Sequence, residues 1–307
     1  MRRRLALLGL PLVVTAVGCA PAGSSPGGGP DHRWAAFDQR AGEVAEAWRP
    51  GPAWSTGYVP LQDATVLVGD PGFTPDTEAA FRAGWYREQV EVPGATPADA
   101  AIRFPDGALT VPLVSATEAY RQLDQGDPPT CDGRPREPQR PGPDGATSTQ
   151  AAQPCVPLTV TGVRLGSAEV RTSRGVADVP AWLFTVEELT APVARLAVDP
   201  SAVTAVPEPT APTWPATNGV VGADQLQRVD GARLTYTVAM GACDSGPTAL
   251  VRERDDVVVV GGGVVRGTGD CVAMAVFKPV TVTLKAALGG RPVLDVGTGA
   301  VLTQRSR

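Results

Sequence analysis

The sequence predicts an α+β protein, mainly antiparallel β, with an N-terminal helix and two β-rich lobes, each holding one disulfide. Three observations carry this expectation. Only one long stretch, residues 34–48, has strong helical periodicity. From Leu158 onward the chain is dominated by runs rich in Val, Thr and Leu, punctuated by glycine and turn dipeptides. Besides Cys19 there are four cysteines, an even number, behind an export signal.

The signal occupies residues 1–18. Arg2, Arg3 and Arg4 precede an apolar run from Leu5 to Val17, and Gly18 then leads into Cys19. Gly9 and Pro11 interrupt the run, which falls short of the roughly 20 apolar residues that span a bilayer. Small residues before a cysteine resemble the lipobox of bacterial lipoproteins, with Ala16 where Leu is commoner. The resemblance implies that Cys19 is lipidated and becomes the mature N-terminus. At roughly 0.8 kcal/mol per buried methylene, two or three acyl chains anchor a protein firmly. The expected address is therefore the outer face of the cell membrane. Residues 19–30 follow as a flexible tether, since Ala, Pro, Gly and Ser alone build no core.

An α+β domain is expected over residues 31–205. Trp34, Phe37, Ala41, Val44, Ala45 and Trp48 recur at helical spacing and are followed by Pro50. Shorter helices are expected over Pro75–Ala83, stopped by Gly84, and from Ser115 to about Asp124, where Ser115 and Glu118 have the spacing of a capping box. Strands are expected at Leu158–Leu165, Ala168–Ser173 and Val176–Glu187, with a break at Gly166 and a turn at Arg174-Gly175, and again at Arg195–Val198. Pro207, Pro209, Pro212 and Pro215 mark a semi-rigid linker over 206–220. Residues 221–307 read as a small antiparallel β domain, with strands at Arg233–Met240, Ala249–Arg254, Val257–Val265 and Val272–Leu284 and a hairpin near Val293–Leu302.

The four remaining cysteines, Cys131, Cys155, Cys243 and Cys271, allow three connectivities, of which sequence proximity favours Cys131–Cys155 and Cys243–Cys271. The first pair would close a proline-rich surface loop, contributing on the order of 3 kcal/mol by loop-closure entropy. No Cys-x-x-Cys spacing suggests redox work.

Three stretches, Leu158–Thr185, Gly241–Pro247 and Val280–Leu302, resemble a group of secreted lipoproteins of actinobacteria such as Streptomyces for which no activity is established. Consistent with a high-GC host, arginine far outnumbers lysine, which occurs only at Lys278 and Lys285. The resemblance assigns no functional residue.

Composition excludes more chemistry than it suggests. The single histidine, His32, adjoins the tether, so a Ser-His-Asp or Cys-His arrangement lacks a base and an imidazole-thiolate metal site lacks ligands. Without the three signal arginines the chain carries 24 basic against 32 acidic residues, a net charge of −8 that invites no nucleic acid. Gly261-Gly262-Gly263 follows a Val run but lacks the Gly-Lys-Ser/Thr of a phosphate loop, and reads as a bulge or close backbone approach. Asp255 with Asp256, and Glu187 with Glu188, are adjacent and so project to opposite sides of a strand, which makes solvated charges a better reading than an acid-base or calcium pair. Trp182 beside Pro180 is expected to pack inward instead of stacking on a sugar. Lys278 and Lys285 have no Ser-x-x-Lys near them. The expectation is a non-catalytic binding or structural module of the envelope, without cofactor or metal, meeting an envelope protein or cell-wall glycan. The competing expectation is a carboxylate-dependent hydrolase acting on wall polymers.

Overall fold

A computed structural model of the chain describes residues 32–126, 156–212, 214 and 219–305. The signal, the tether, Cys19, Cys131 and Cys155 lie outside the described residues. The first elements are α1 (His32–Ala47), α2 (Ala53–Thr56), β1 (Thr65–Leu67), α3 (Pro75–Ala83), β2 (Tyr86–Glu88), β3 (Ala100–Phe104), β4 (Gly107–Val111), α4 (Ala116–Leu123), β5 (Leu158–Thr172), β6 (Gly175–Val186) and β7 (Val193–Leu196).

A long β5–β6 hairpin is the spine of the first sheet. Its two-residue loop, Ser173-Arg174, leads into Gly175 at φ 96°, and the Thr172 hydroxyl donates to the Gly175 carbonyl at 2.7 Å. β5 continues through Gly166, where a break was expected. A Cβ there would lie 2.7 Å from Leu183 Cδ1, so this glycine admits a neighbouring side chain and does not end the strand. On its other edge β6 meets β3 and β7, giving the order β1-β7-β6-β3-β4, with β2 parallel to β5. Ile102, Val170, Val179 and Phe184 fill the core with Ala80 and Phe81 of α3 and Ala119 and Leu123 of α4.

The helix ends follow local chemistry. Thr74 and Thr77 cap α3 reciprocally, and Gly84 closes it in the left-handed region at φ 72°. At α4 the expected capping box is half formed. Ser115 accepts from the Glu118 N–H at 3.2 Å, but the Glu118 carboxylate turns to Gln122 and Arg121.

The remaining strands are β8 (Val220–Val221), β9 (Ala223–Asp230), β10 (Arg233–Gly241), β11 (Ser245–Glu253), β12 (Val258–Val265), β13 (Ala275–Thr283) and β14 (Val293–Asp295). They form a three-stranded sheet, β13-β10-β9, and a four-stranded one in which β12 pairs β11, β14 and β8. The β12–β14 pairing is parallel, whereas the pairs β10–β13, β10–β9, β11–β12 and β12–β8 are antiparallel. Leu226, Leu234, Tyr236, Val238, Val258 and Val260 fill the space between the sheets.

Helix α1 covers the opposite face of the four-stranded sheet, packing Phe37, Ala41, Val44 and Trp48 on Val257, Val259, Leu294 and Val296. β12 is therefore buried on both faces, which is why its sequence is an unbroken apolar run and not an alternating one. The Gly261-Gly262 step is a close approach: added Cβ atoms would lie 2.5 Å from Val296 Cγ1 and 2.8 Å from Val238 Cγ1. Thr210 and Pro212 of the proline-rich segment lie beside α1. Arg40 donates to the carbonyls of Val296, Gly297 and Pro212, and the Trp214 N–H to that of Gly297.

Cys243 and Cys271 are disulfide-bonded, with Cα atoms 6.1 Å apart, joining the β10–β11 connection to the approach of β13. The end of the chain returns to the beginning: the Gln304 N–H donates to Leu61 O at 2.8 Å, and its carbonyl accepts from the Asp63 N–H at 3.0 Å. These contacts join His32–Arg307 into one unit.

Candidate functional site

The site begins with alternation along β5. Ala168 and Val170 face the core, so Glu169 and Arg171 project from the other side of the strand. The β5–β6 turn places Arg174 and Val176 next to them. Opposite stand Gly231 in the β9–β10 turn and Ala287, Gly289 and Gly290 between β13 and β14, with Gln62 and Gln304 also lining the space. The cleft so enclosed has a volume of about 560 Å³.

Arg291 holds the far wall in place. Its guanidinium donates to the carbonyls of Arg254, Ala286, Ala287 and Leu288 and pairs with Glu253 at 3.5 Å. Gly231 and Gly289 adopt φ of 56° and 57°, so the wall turns sharply and presents backbone to the cleft.

Arg171 is the unusual group. It is only 6% exposed, yet it makes no ion pair with any described residue. One terminal nitrogen donates to Arg291 O at 2.7 Å, while the buried Nε has no hydrogen-bond partner. Its backbone is fixed by the N–H donating to Gln62 Oε1 and the carbonyl accepting from Leu61 N, each at 2.8 Å. Burial pulls the guanidinium pKa down to about 10, with no anion acting to raise it. The group is still charged at neutral pH.

The other sheltered arginines are better answered, although the buried Arg195 Nε also has no hydrogen-bond partner. Arg174 is engaged by both oxygens of Asp106, at 2.7 and 3.1 Å, and stacks 3.8 Å over the Phe104 ring. That pairing holds the Asp106 carboxyl below the usual range. Arg40 finds three carbonyls and Glu43. Arg195 donates to Thr65 and Gln122, and Asp63 opposes the effect of its burial. A buried cation without a counter-charge is costly.

No family model matches the chain, and no curated protein or solved structure matches it. Its chemistry has to be read from its own residues.

The residues singled out by sequence lie elsewhere. Trp182 is buried, with Nε1 donating to Val114 O at 2.9 Å. Asp255 and Asp256 sit exposed in the β11–β12 turn, where Asp256 pairs with Arg254 at 3.3 Å. Glu187 is exposed, while Glu188 accepts from the N–H and hydroxyl of Thr159, each at 2.8 Å, and so clamps the start of β5. Lys278 is exposed on β13, and Lys285 donates its N–H to Glu253. Gly261–Gly263 run within β12 against β11 and make no loop. Among the described residues no group of three His, Cys, Asp or Glu is placed to hold a metal ion, and no helix is long and apolar enough to cross a membrane.

Sequence reasoning missed Arg171. Its only local signal is the pair of charges at 169 and 171 on one strand face, a pattern that ordinarily means solvent. What buries it is a loop 120 residues away in the chain, around Arg291.

Proposed function

We propose that the chain is a lipid-anchored protein of the outer face of the cell membrane. It acts there as a non-catalytic binding module, taking up an anionic group at the cleft beside Arg171. The observation that carries this reading is the buried, uncompensated Arg171 guanidinium bordering a cleft of about 560 Å³. That volume lies in the range of about 300–1,000 Å³ common for small-molecule sites.

The address rests on the Arg2–Arg4 start, the short apolar run and Cys19, together with the likeness to secreted lipoproteins of actinobacteria. A wall glycan or envelope protein bearing carboxylates is a natural carrier of the anionic group. In this reading the cleft lies between two β-rich lobes, each closed by one disulfide, the first of them Cys131–Cys155. The test is isothermal titration of the detergent-solubilised protein with wall fragments and simple carboxylates, in parallel with Arg171→Met. Saturable binding lost in Arg171→Met supports the reading. Binding that is indifferent to Arg171, or turnover of a wall polymer abolished by replacing one Asp or Glu, overturns it.

A further inference from the structure

We infer that the ligand of the Arg171 cleft is a zwitterion carrying an ammonium and a carboxylate on the same carbon, the carboxylate meeting Arg171 and the ammonium meeting Glu169. This rests on the cleft being a binding site and specifies what it takes.

The geometry is set by the strand. Residues two apart on a β-strand share a face and stand about 6–7 Å apart, so Glu169 and Arg171 present opposite charges side by side into one cleft. They make no ion pair with each other, so both remain available. The next cation, Arg174, is neutralised by Asp106, which leaves, among the described residues lining the cleft, one positive and one negative group without a counter-charge. A phosphate would therefore find a single uncompensated guanidinium and a carboxylate that repels it. A ligand with adjacent positive and negative groups satisfies both. Pro105, Val176, Val229 and Ala287 line the same space and suit a short aliphatic side chain.

Two sources share this chemistry: a free α-amino acid, and the ammonium–carboxylate centre of a diamino-acid residue in a wall peptide. Calorimetric titration of the full-length protein in detergent micelles separates the possibilities, using valine, N-acetylvaline, valine amide, inorganic phosphate and a diaminopimelate-containing peptide as probes. We expect saturable binding of valine or of the peptide, whichever binds more tightly naming the source. N-acetylvaline and valine amide should bind at least tenfold more weakly than valine. Glu169→Gln, a change at an exposed position, should remove the tenfold preference for valine over N-acetylvaline, with N-acetylvaline, no longer repelled by the carboxylate, bound at least as tightly as by wild type, and Arg171→Met should abolish binding of every probe. If N-acetylvaline or phosphate binds wild type as tightly as valine, and Glu169→Gln changes nothing, the zwitterion assignment is overturned while the anion cleft stands. If no probe binds wild type that is folded by circular dichroism, both are overturned.

Discussion

Replacing Arg171 with methionine should make the protein more stable. Lowering a guanidinium from its ordinary value to about 10 corresponds, at about 1.4 kcal/mol per pH unit, to ~3 kcal/mol by which the folded state disfavours the charge. Methionine replaces the apolar stem of the arginine and carries no charge, so that cost disappears. The substitution also removes the bond to Arg291 O, worth about 1 kcal/mol. The net expectation is stabilisation by ~2 kcal/mol. For a chain of this size that means a rise in Tm of about 4–8 °C, measured by circular dichroism at pH 7 without ligand. The sign with pH follows from linkage. Below about pH 10 the folded and unfolded chains both hold the proton, so the difference between variant and wild type is constant. Above it the folded chain releases the proton first, and wild type regains stability as pH climbs toward the ordinary guanidinium value. A loss of 1 kcal/mol or more in Arg171→Met at neutral pH would refute the reasoning, because it would mean that the guanidinium is compensated in the folded state.

Four further outcomes are expected. Gly261→Ala would drive a methyl to within 2.5 Å of Val296 Cγ1 and 3.0 Å of Val221 O, and should cost about 1–3 kcal/mol in urea unfolding; a neutral result would show that α1 and β14 yield easily. Asp295 is buried and accepts from Ala223 N, Thr298 N and the Thr298 hydroxyl at 2.7–2.8 Å, so Asp295→Ala should cost about 3 kcal/mol or more by the same assay. The Asp106 carboxyl, held low chiefly by its hydrogen bonds from Arg174, should titrate below the usual Asp range by NMR and return to it in Arg174→Met. Because its folded value is the lowered one, its contribution to stability should persist above about pH 4 and fade as pH falls through the folded value. Finally, Cys19→Ala should release the protein from membranes, and radiolabelled palmitate incorporation into the variant would defeat the lipid assignment.

What the sequence made legible is what short-range physics determines. The helix over Pro75–Ala83 and its stop at Gly84 follow from proline at the first turn and a left-handed glycine at the end. The Arg174-Gly175 turn, and the pairing of Cys243 with Cys271, were also readable, the latter as the pairing that sequence proximity favours among three connectivities. Periodicity in residues 34–48 revealed an apolar face but not its partner. By chain order the helix belongs with the first strands, yet it packs on β11, β12 and β14, since an amphipathic stripe states that something is covered without saying what. The short strands β1, β2, β3 and β4 went unread because three to five residues hold too little alternation to outweigh the glycines and prolines around them.

The same limit explains why the candidate site was invisible. A strand reading Glu-Val-Arg-Thr at 169–172 is what any half-exposed strand looks like, with charges outward and Val170 inward. Alternation puts Arg171 on the face away from Val170, the side on which a charge ordinarily meets solvent, and no residue within ten of it signals its burial. The difference is made by the return of the chain, where Gln304 bridges Gln62 and the Arg291 loop closes over the hairpin end. A chain selected for stability alone would place Met or Leu at such a position, or supply a carboxylate, as it does for Arg174 with Asp106. Local rules broken without compensation gather where a protein meets its ligand. Among the sheltered arginines described here, Arg171 breaks that rule most plainly, and it does so at the mouth of a cleft.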